Sequence, residues 1–123
     1  MIPFNLVCIK TFAQLLLLLI VHADSSDQTL AGEWRGSINV QGTELPIVFH
    51  VKKDEEKYYS TLDSPNQNVR DIKVSETILT KGKVTFRISS LKAVYEGTLS
   101  RNKITGQWMQ SGQSFMLIMT RQI

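Results

Sequence analysis

The sequence predicts one small all-β domain, an eight-stranded antiparallel up-and-down barrel, behind an N-terminal export signal. Three observations predict the fold. Apolar and polar side chains alternate with period two from about residue 31 to 121. Turn residues rich in Gly, Asn and Ser recur roughly every 8 to 12 positions. No window carries a sustained helical stripe, and the connections are too short for a crossover helix, which excludes parallel pairing.

The first 23 residues differ in kind from the remainder of the chain. Lys10 is their only charge, and Leu15 to Val21 is an unbroken apolar run. Extended back to Phe12, with Gln14 as the one interruption, the run is ten residues long, against about 20 for a bilayer span. Val21-His22-Ala23 before Asp24-Ser25-Ser26-Asp27 has the form of a cleavage site after Ala23. Residues 1–23 therefore read as a signal peptide, 24–30 as a flexible leader and 31–123 as the domain. The destination is the periplasm or the extracellular medium, with no transmembrane span once the signal is removed.

Within the domain, Trp34, Gly36, Ile38 and Val40 alternate with Glu33, Arg35, Ser37 and Asn39. Leu45, Ile47, Phe49 and Val51 alternate with Glu44, Pro46, Val48 and His50, and Val84, Phe86 and Ile88 with Lys83, Thr85 and Arg87. Side chains two apart share a face of a strand. The predicted strands cover about 33–40, 44–53, 57–63, 72–80, 83–88, 92–100, 103–110 and 113–121. Gln41-Gly42, Lys81-Gly82, Ser100-Arg101-Asn102 and Ser111-Gly112 supply tight hairpins. Ser64 to Asp71 is the one longer loop. Gly36, Gly97 and Gly106 fall in phase with the apolar stripes, where a missing side chain lets a strand coil sharply. Eight such strands can close on themselves and leave an interior that is either filled or holds one small ligand; a sandwich of two four-stranded sheets is the alternative.

Charge and residue inventory narrow the chemistry. The chain has 14 basic and 11 acidic side chains; without Lys10 the balance is 13 to 11, a net charge of +2. The charges are interspersed, so no nucleic-acid partner is expected. Cys8 and His22 lie in the signal, which leaves His50 as the sole histidine and no thiol. His50 falls on an outward phase, and no Gly-x-Ser-x-Gly turn accompanies Ser114. One histidine without cysteine builds no zinc site, and Asp54-Glu55-Glu56 reads as a solvated turn. Glu33, Glu44 and Glu96 fall outward; only Glu76, in phase with Val74 and Ile78, is placed inward, as a carboxylate of raised pKa or as the mark of a strand end. No catalytic residue, metal or cofactor is expected. The aromatic side chains Trp34, Phe49, Tyr58, Phe86, Tyr95 and Trp108, with Phe115, occupy the inward phase. They either pack a solid core or line a pocket for a small apolar or amphipathic ligand.

Five strings carry a resemblance: Gly32-Glu33-Trp34-Arg35-Gly36, Thr61-Leu62-Asp63-Ser64-Pro65-Asn66-Gln67, Tyr95-Glu96-Gly97-Thr98-Leu99, Ile104-Thr105-Gly106-Gln107-Trp108 and Gly112-Gln113-Ser114. In order and spacing they resemble the small β domain that precedes the catalytic domain of many secreted bacterial alpha/beta-hydrolases, over nearly all of residues 31 to 121. The Gly-x-Trp opening also resembles lipocalins and avidins. The chain ends at Ile123, where the hydrolase would begin, so the resemblance implies no catalytic residue. It implies a non-enzymatic module that binds a small ligand or a partner protein, or an accessory subunit of a separate hydrolase. Asp63 and Ser64 are expected to hold the turn that Pro65 stiffens.

Overall fold

The computed structural model describes residues 28–123. The signal-peptide reading of residues 1–23 lies outside them. Nine strands form: β1 (Gly32–Val40), β2 (Thr43–Asp54), β3 (Lys57–Ser64), β4 (Val69–Lys73), β5 (Glu76–Thr80), β6 (Lys83–Ile88), β7 (Ala93–Ser100), β8 (Lys103–Gln110) and β9 (Gln113–Gln122). Two short 3-10 turns, Pro65–Gln67 and Ser89–Leu91, link β3 to β4 and β6 to β7. All strands belong to one antiparallel sheet in the order β4-β3-β2-β1-β9-β8-β7-β6-β5. The sheet curls strongly into a half-barrel, so the expected closed eight-stranded barrel is corrected to an open nine-stranded sheet. Among the described residues the two-sheet sandwich is not formed.

Local chemistry sets the hairpins. At Gln41-Gly42, Lys81-Gly82 and Ser111-Gly112 both central residues have positive φ, the type I′ geometry whose twist matches that of the flanking strands. Each turn fixes a register: Gln41-Gly42 sets Trp34 opposite Phe49, and Ser111-Gly112 sets Trp108 opposite Phe115.

The ninth strand comes from a break in the expected strand 72–80. The chain pairs with β3 as far as Lys73 and with β6 from Glu76 onward. Between them the Val74 N–H still donates to the Ser60 carbonyl at 3.1 Å, while the Ser75 N–H donates to the Arg87 carbonyl at 2.7 Å. One segment thus crosses from one end of the sheet to the other within a single residue. The crossing shifts the alternation by one position, and such a slip turns every following side chain to the opposite face. Val74 is buried, and after it Thr77 and Leu79 turn inward while Glu76 and Ile78 turn out. Glu76 is therefore exposed and ion-paired to Arg87 at 2.9 Å, which corrects its expected inward placement.

The expected loop 64–71 is also more ordered than a loop. Its 3-10 turn ends in left-handed Asn68, whose N–H donates to the Pro65 carbonyl at 2.9 Å. The following β4 carries a bulge, with Arg70 and Asp71 together facing Asp63, and Asp71 at φ 55°. Val48, expected on the outer phase, is buried, on the strand against which this 3-10 turn lies.

The core is the concave face. Phe49 of β2 and Phe86 of β6 stack at 4.0 Å between ring centroids, 12° from parallel, and Tyr95 tilts against both. Such close approach needs a tightly curled sheet. Gly97 and Gly106 face each other on β7 and β8; a Cβ on Gly97 would lie 2.9 Å from the Tyr95 hydroxyl, and one on Gly106 would enter the β7 backbone at Glu96 and Gly97. A Cβ on Gly36 would stand 2.9 Å from Leu117 and from Met119. The Tyr95 hydroxyl thereby reaches the Leu117 carbonyl on β9, donating at 2.8 Å. Burial pushes its pKa up.

Leu30 corrects the extent of the leader, because it is fully buried in the core. Its carbonyl accepts the Trp34 indole N–H at 2.9 Å, and its N–H donates to the Tyr58 hydroxyl at 3.2 Å. Arg121 fastens the same segment, with its guanidinium 4.4 Å from the Trp34 ring and donating to the carbonyls of Ala31 at 2.6 Å and Thr29 at 3.0 Å.

Two substitutions probe this packing. Leu30→Ala is expected to lower the unfolding free energy by roughly 2–5 kcal/mol in urea denaturation, whereas a free leader would give no change. Gly106→Ala, which adds one methyl group, is expected to cost about 1–3 kcal/mol in the same assay, and a neutral result would refute the close strand approach.

Candidate functional site

The aromatic residues singled out from the sequence divide into two groups. Trp34, Phe49, Phe86, Tyr95 and Trp108 are buried and touch one another or their apolar neighbours in a single cluster. Trp108 donates its indole N–H to the Gln110 side chain at 3.1 Å, and Gln110 donates onward to the Leu91 carbonyl at 2.9 Å. Their polar handles are thus engaged within the protein. Tyr58 and Phe115 are only partly buried. Burial alone would raise the Tyr58 pKa, but hydrogen bonds with Thr29 and the Leu30 N–H, helped by the charges of Lys53 and Arg121, lower it on balance.

A polar row crosses the convex face of β1, β2 and β3. The two-residue turns at Gln41-Gly42 and Glu55-Glu56 place Glu33 opposite His50, and His50 opposite Thr61. His50 Nε2 lies 2.9 Å from Asp63 Oδ2, and His50 Nδ1 lies 3.7 Å from Glu33 Oε1. Arg35 Nε donates to Glu33 Oε2 at 2.6 Å. At the far end the Asp71 N–H, turned inward by the bulge, donates to Asp63 Oδ1 at 2.7 Å. Asp63 is 8% exposed. The Asp71 N–H holds its carboxyl below the ordinary value, with His50 and Arg70 acting in the same sense and burial opposing them. The two imidazole nitrogens thus each face a carboxylate, Asp63 within hydrogen-bond distance and Glu33 farther off.

The resemblance-bearing string Thr61 to Gln67 takes its place here. Asp63 holds the bulge and His50, and the Ser64 hydroxyl donates to Gln67 Oε1 at 2.8 Å. Ser64 thus braces the 3-10 turn through the Gln67 side chain, while Asp63, expected to hold that turn, instead anchors the bulge that follows it.

Two concavities lie at the seam where the sheet fails to close, and others lie over β6 to β8 and at the β8–β9 turn. A groove of about 630 Å³ separates the start of β3 from β5, lined by Tyr58, Tyr59, Lys73, Val74, Ile78 and Leu79 among others. Its rim carries two large exposed apolar side chains, Tyr59 at 55% and Ile78 at 42%. The Ser60 and Thr77 hydroxyls meet in a hydrogen bond that ties β3 to β5. Across Tyr59, Lys73 and Val74 the groove adjoins a second hollow of about 270 Å³ on the convex side, bounded also by His50, Lys52 and Thr61. Of the six ligand residues expected from the sequence, Tyr58 alone lines either cavity.

Alternation alone could not reveal this seam, since it depends on the phase slip after Val74. The polar row was within reach, because hairpin register alone sets Glu33, His50 and Thr61 in line. Only the bulge brings Asp63 to His50. No group of three or more metal-ligating side chains is clustered among the described residues.

The polar row predicts an acid-sensitive contribution to stability. Because the folded pKa of Asp63 lies below the ordinary value, its contribution is complete above about pH 4 and is lost as pH falls through the folded pKa. Asp63→Ala is expected to cost about 1–3 kcal/mol at neutral pH in urea titrations, and the gap from the parent protein should narrow in acid. A gap independent of pH would show that the carboxylate charge contributes nothing.

No protein-family model matches the chain, and neither a curated protein nor a solved structure matches it significantly.

Proposed function

We propose that the chain is an exported, non-catalytic binding module that takes a small amphipathic ligand in the groove at its open seam. The observation that carries this reading is the contrast between the two sides of the sheet. The concave face is filled by buried aromatic side chains, while the groove between β3 and β5 combines about 630 Å³ of space with exposed Tyr59 and Ile78. That volume lies within the range of roughly 300–1,000 Å³ typical of small-molecule sites. The exposed apolar side chains stand among charged ones of both signs, Glu56, Lys57, Lys73 and Glu76, which suits a ligand that has both an apolar body and a polar end. Export and the absence of catalysis rest on the N-terminal sequence pattern and on the residue inventory.

Thermal unfolding in the presence of fatty acids, sterols and short glycans tests the reading. A ligand at 100 times its dissociation constant should raise stability by about 2.7 kcal/mol. Ile78→Asp, a substitution at an exposed position, should remove that stabilisation and leave the unliganded protein folded. No response to any class, or a response that survives Ile78→Asp, would overturn the groove as the site.

A further inference from the structure

We infer that the smaller convex hollow beside the groove is an anion site, and that the polar end of the ligand is a carboxylate carried on a compact ring. The inference rests on the binding role just proposed and adds the chemistry of the ligand. Its basis is the sign of the charges that bound the hollow. His50, Lys52, Tyr59 and Lys73 are its ionisable walls, and among the described residues no carboxylate lines it. Of the neighbouring acids, Asp63 and Glu33 are engaged by His50 and Arg35 and Glu76 by Arg87, while Glu56 on the adjoining groove and Asp71 on β4 take part in no ion pair among the described residues. Neither Lys52 nor Lys73 takes part in an ion pair among the described residues.

Geometry selects the rest of the ligand. Register places Lys52 directly opposite Tyr59, and Thr61 directly opposite both His50 and Lys73, so these side chains share the convex face. An exposed phenol ring thus lies with an ammonium group beside it and another on the next strand over. An aromatic surface favours the flat face of a ring, and an ammonium group donates to a carboxylate in charge-assisted hydrogen bonds. The hollow of about 270 Å³ is of a size for a single ring. His50, clamped between two acids, serves as a fixed wall. An acidic sugar and an aromatic acid both have this chemistry.

The test is a two-dimensional amide NMR titration of the intact protein with glucuronate and benzoate, each paired with a neutral counterpart, glucose and benzyl alcohol. Either acid should shift the amides of residues 50–52, 59–61 and 73–74, and its neutral counterpart should bind about tenfold more weakly. Glucuronate alone points to a sugar, benzoate alone to an aromatic acid. Lys52→Gln and Lys73→Gln, both at exposed positions, should each weaken binding several-fold with the fold intact by circular dichroism, and added salt should do the same. Equal binding of acid and neutral analogues, shifts confined to other residues, or no shift with either acid at millimolar concentration would overturn the anion site. Binding of a neutral ligand at Ile78 and Leu79 with no response to the acids would refute this inference and leave the groove reading standing.

Discussion

The stack of Phe49 on Phe86 is the contact around which the rest of the molecule is arranged. The two rings belong to β2 and β6, which are separated in the sheet by four strands, so they can meet only if one continuous sheet folds back on itself. Burying two such rings removes large apolar areas from water, but the gain is available only to a sheet that can curl. The positions without side chains on β1, β7 and β8 permit that curl, and the Tyr95 hydroxyl holds it by reaching the backbone of β9. Apolar burial drives the closure, while the glycines remove the steric obstacle to it.

A sheet curled this far nearly meets itself, and the way it falls short creates the surface features. Val74 and Ser75 carry the chain from one end to the other, so the last gap is spanned by connectivity, two backbone hydrogen bonds and the Ser60–Thr77 hydroxyl contact rather than by a ladder. A closed barrel would have no edge there. The open seam instead leaves β3 and β5 apart enough for a groove, and the phase slip turns Ile78 outward onto its rim. Leu30 and Arg121 close a different part of the structure, where the entering chain is stitched to the last strand. Filling the interior and opening the seam are thus two results of one geometry.

The convex face shows how polar side chains use the same register. Glu33, His50 and Asp63 come from three strands and carry no local sequence signal, yet two tight turns and one bulge bring them into contact. Their mutual pairing leaves Lys52 and Lys73 uncompensated beside the seam, as judged among the described residues. The arrangement of charges around the smaller hollow is thus not readable from the chain's nearly balanced composition.

By itself the sequence determined the strand-forming segments, the tight turns and the identity of most core residues. Each follows from nearest-neighbour physics: side chains alternate across a strand, Gly accepts positive φ, and apolar groups leave water. The aromatic set was legible for the same reason, with Trp34, Phe49, Phe86, Tyr95 and Trp108 all buried. Tertiary structure alone decided where the alternation breaks, that the sheet stays open, that Glu76 faces solvent and that Leu30 enters the core. These outcomes depend on which strand a segment pairs with and on how far the sheet curls. Both are settled by contacts between residues distant in the chain, and a period read along the chain carries no record of them.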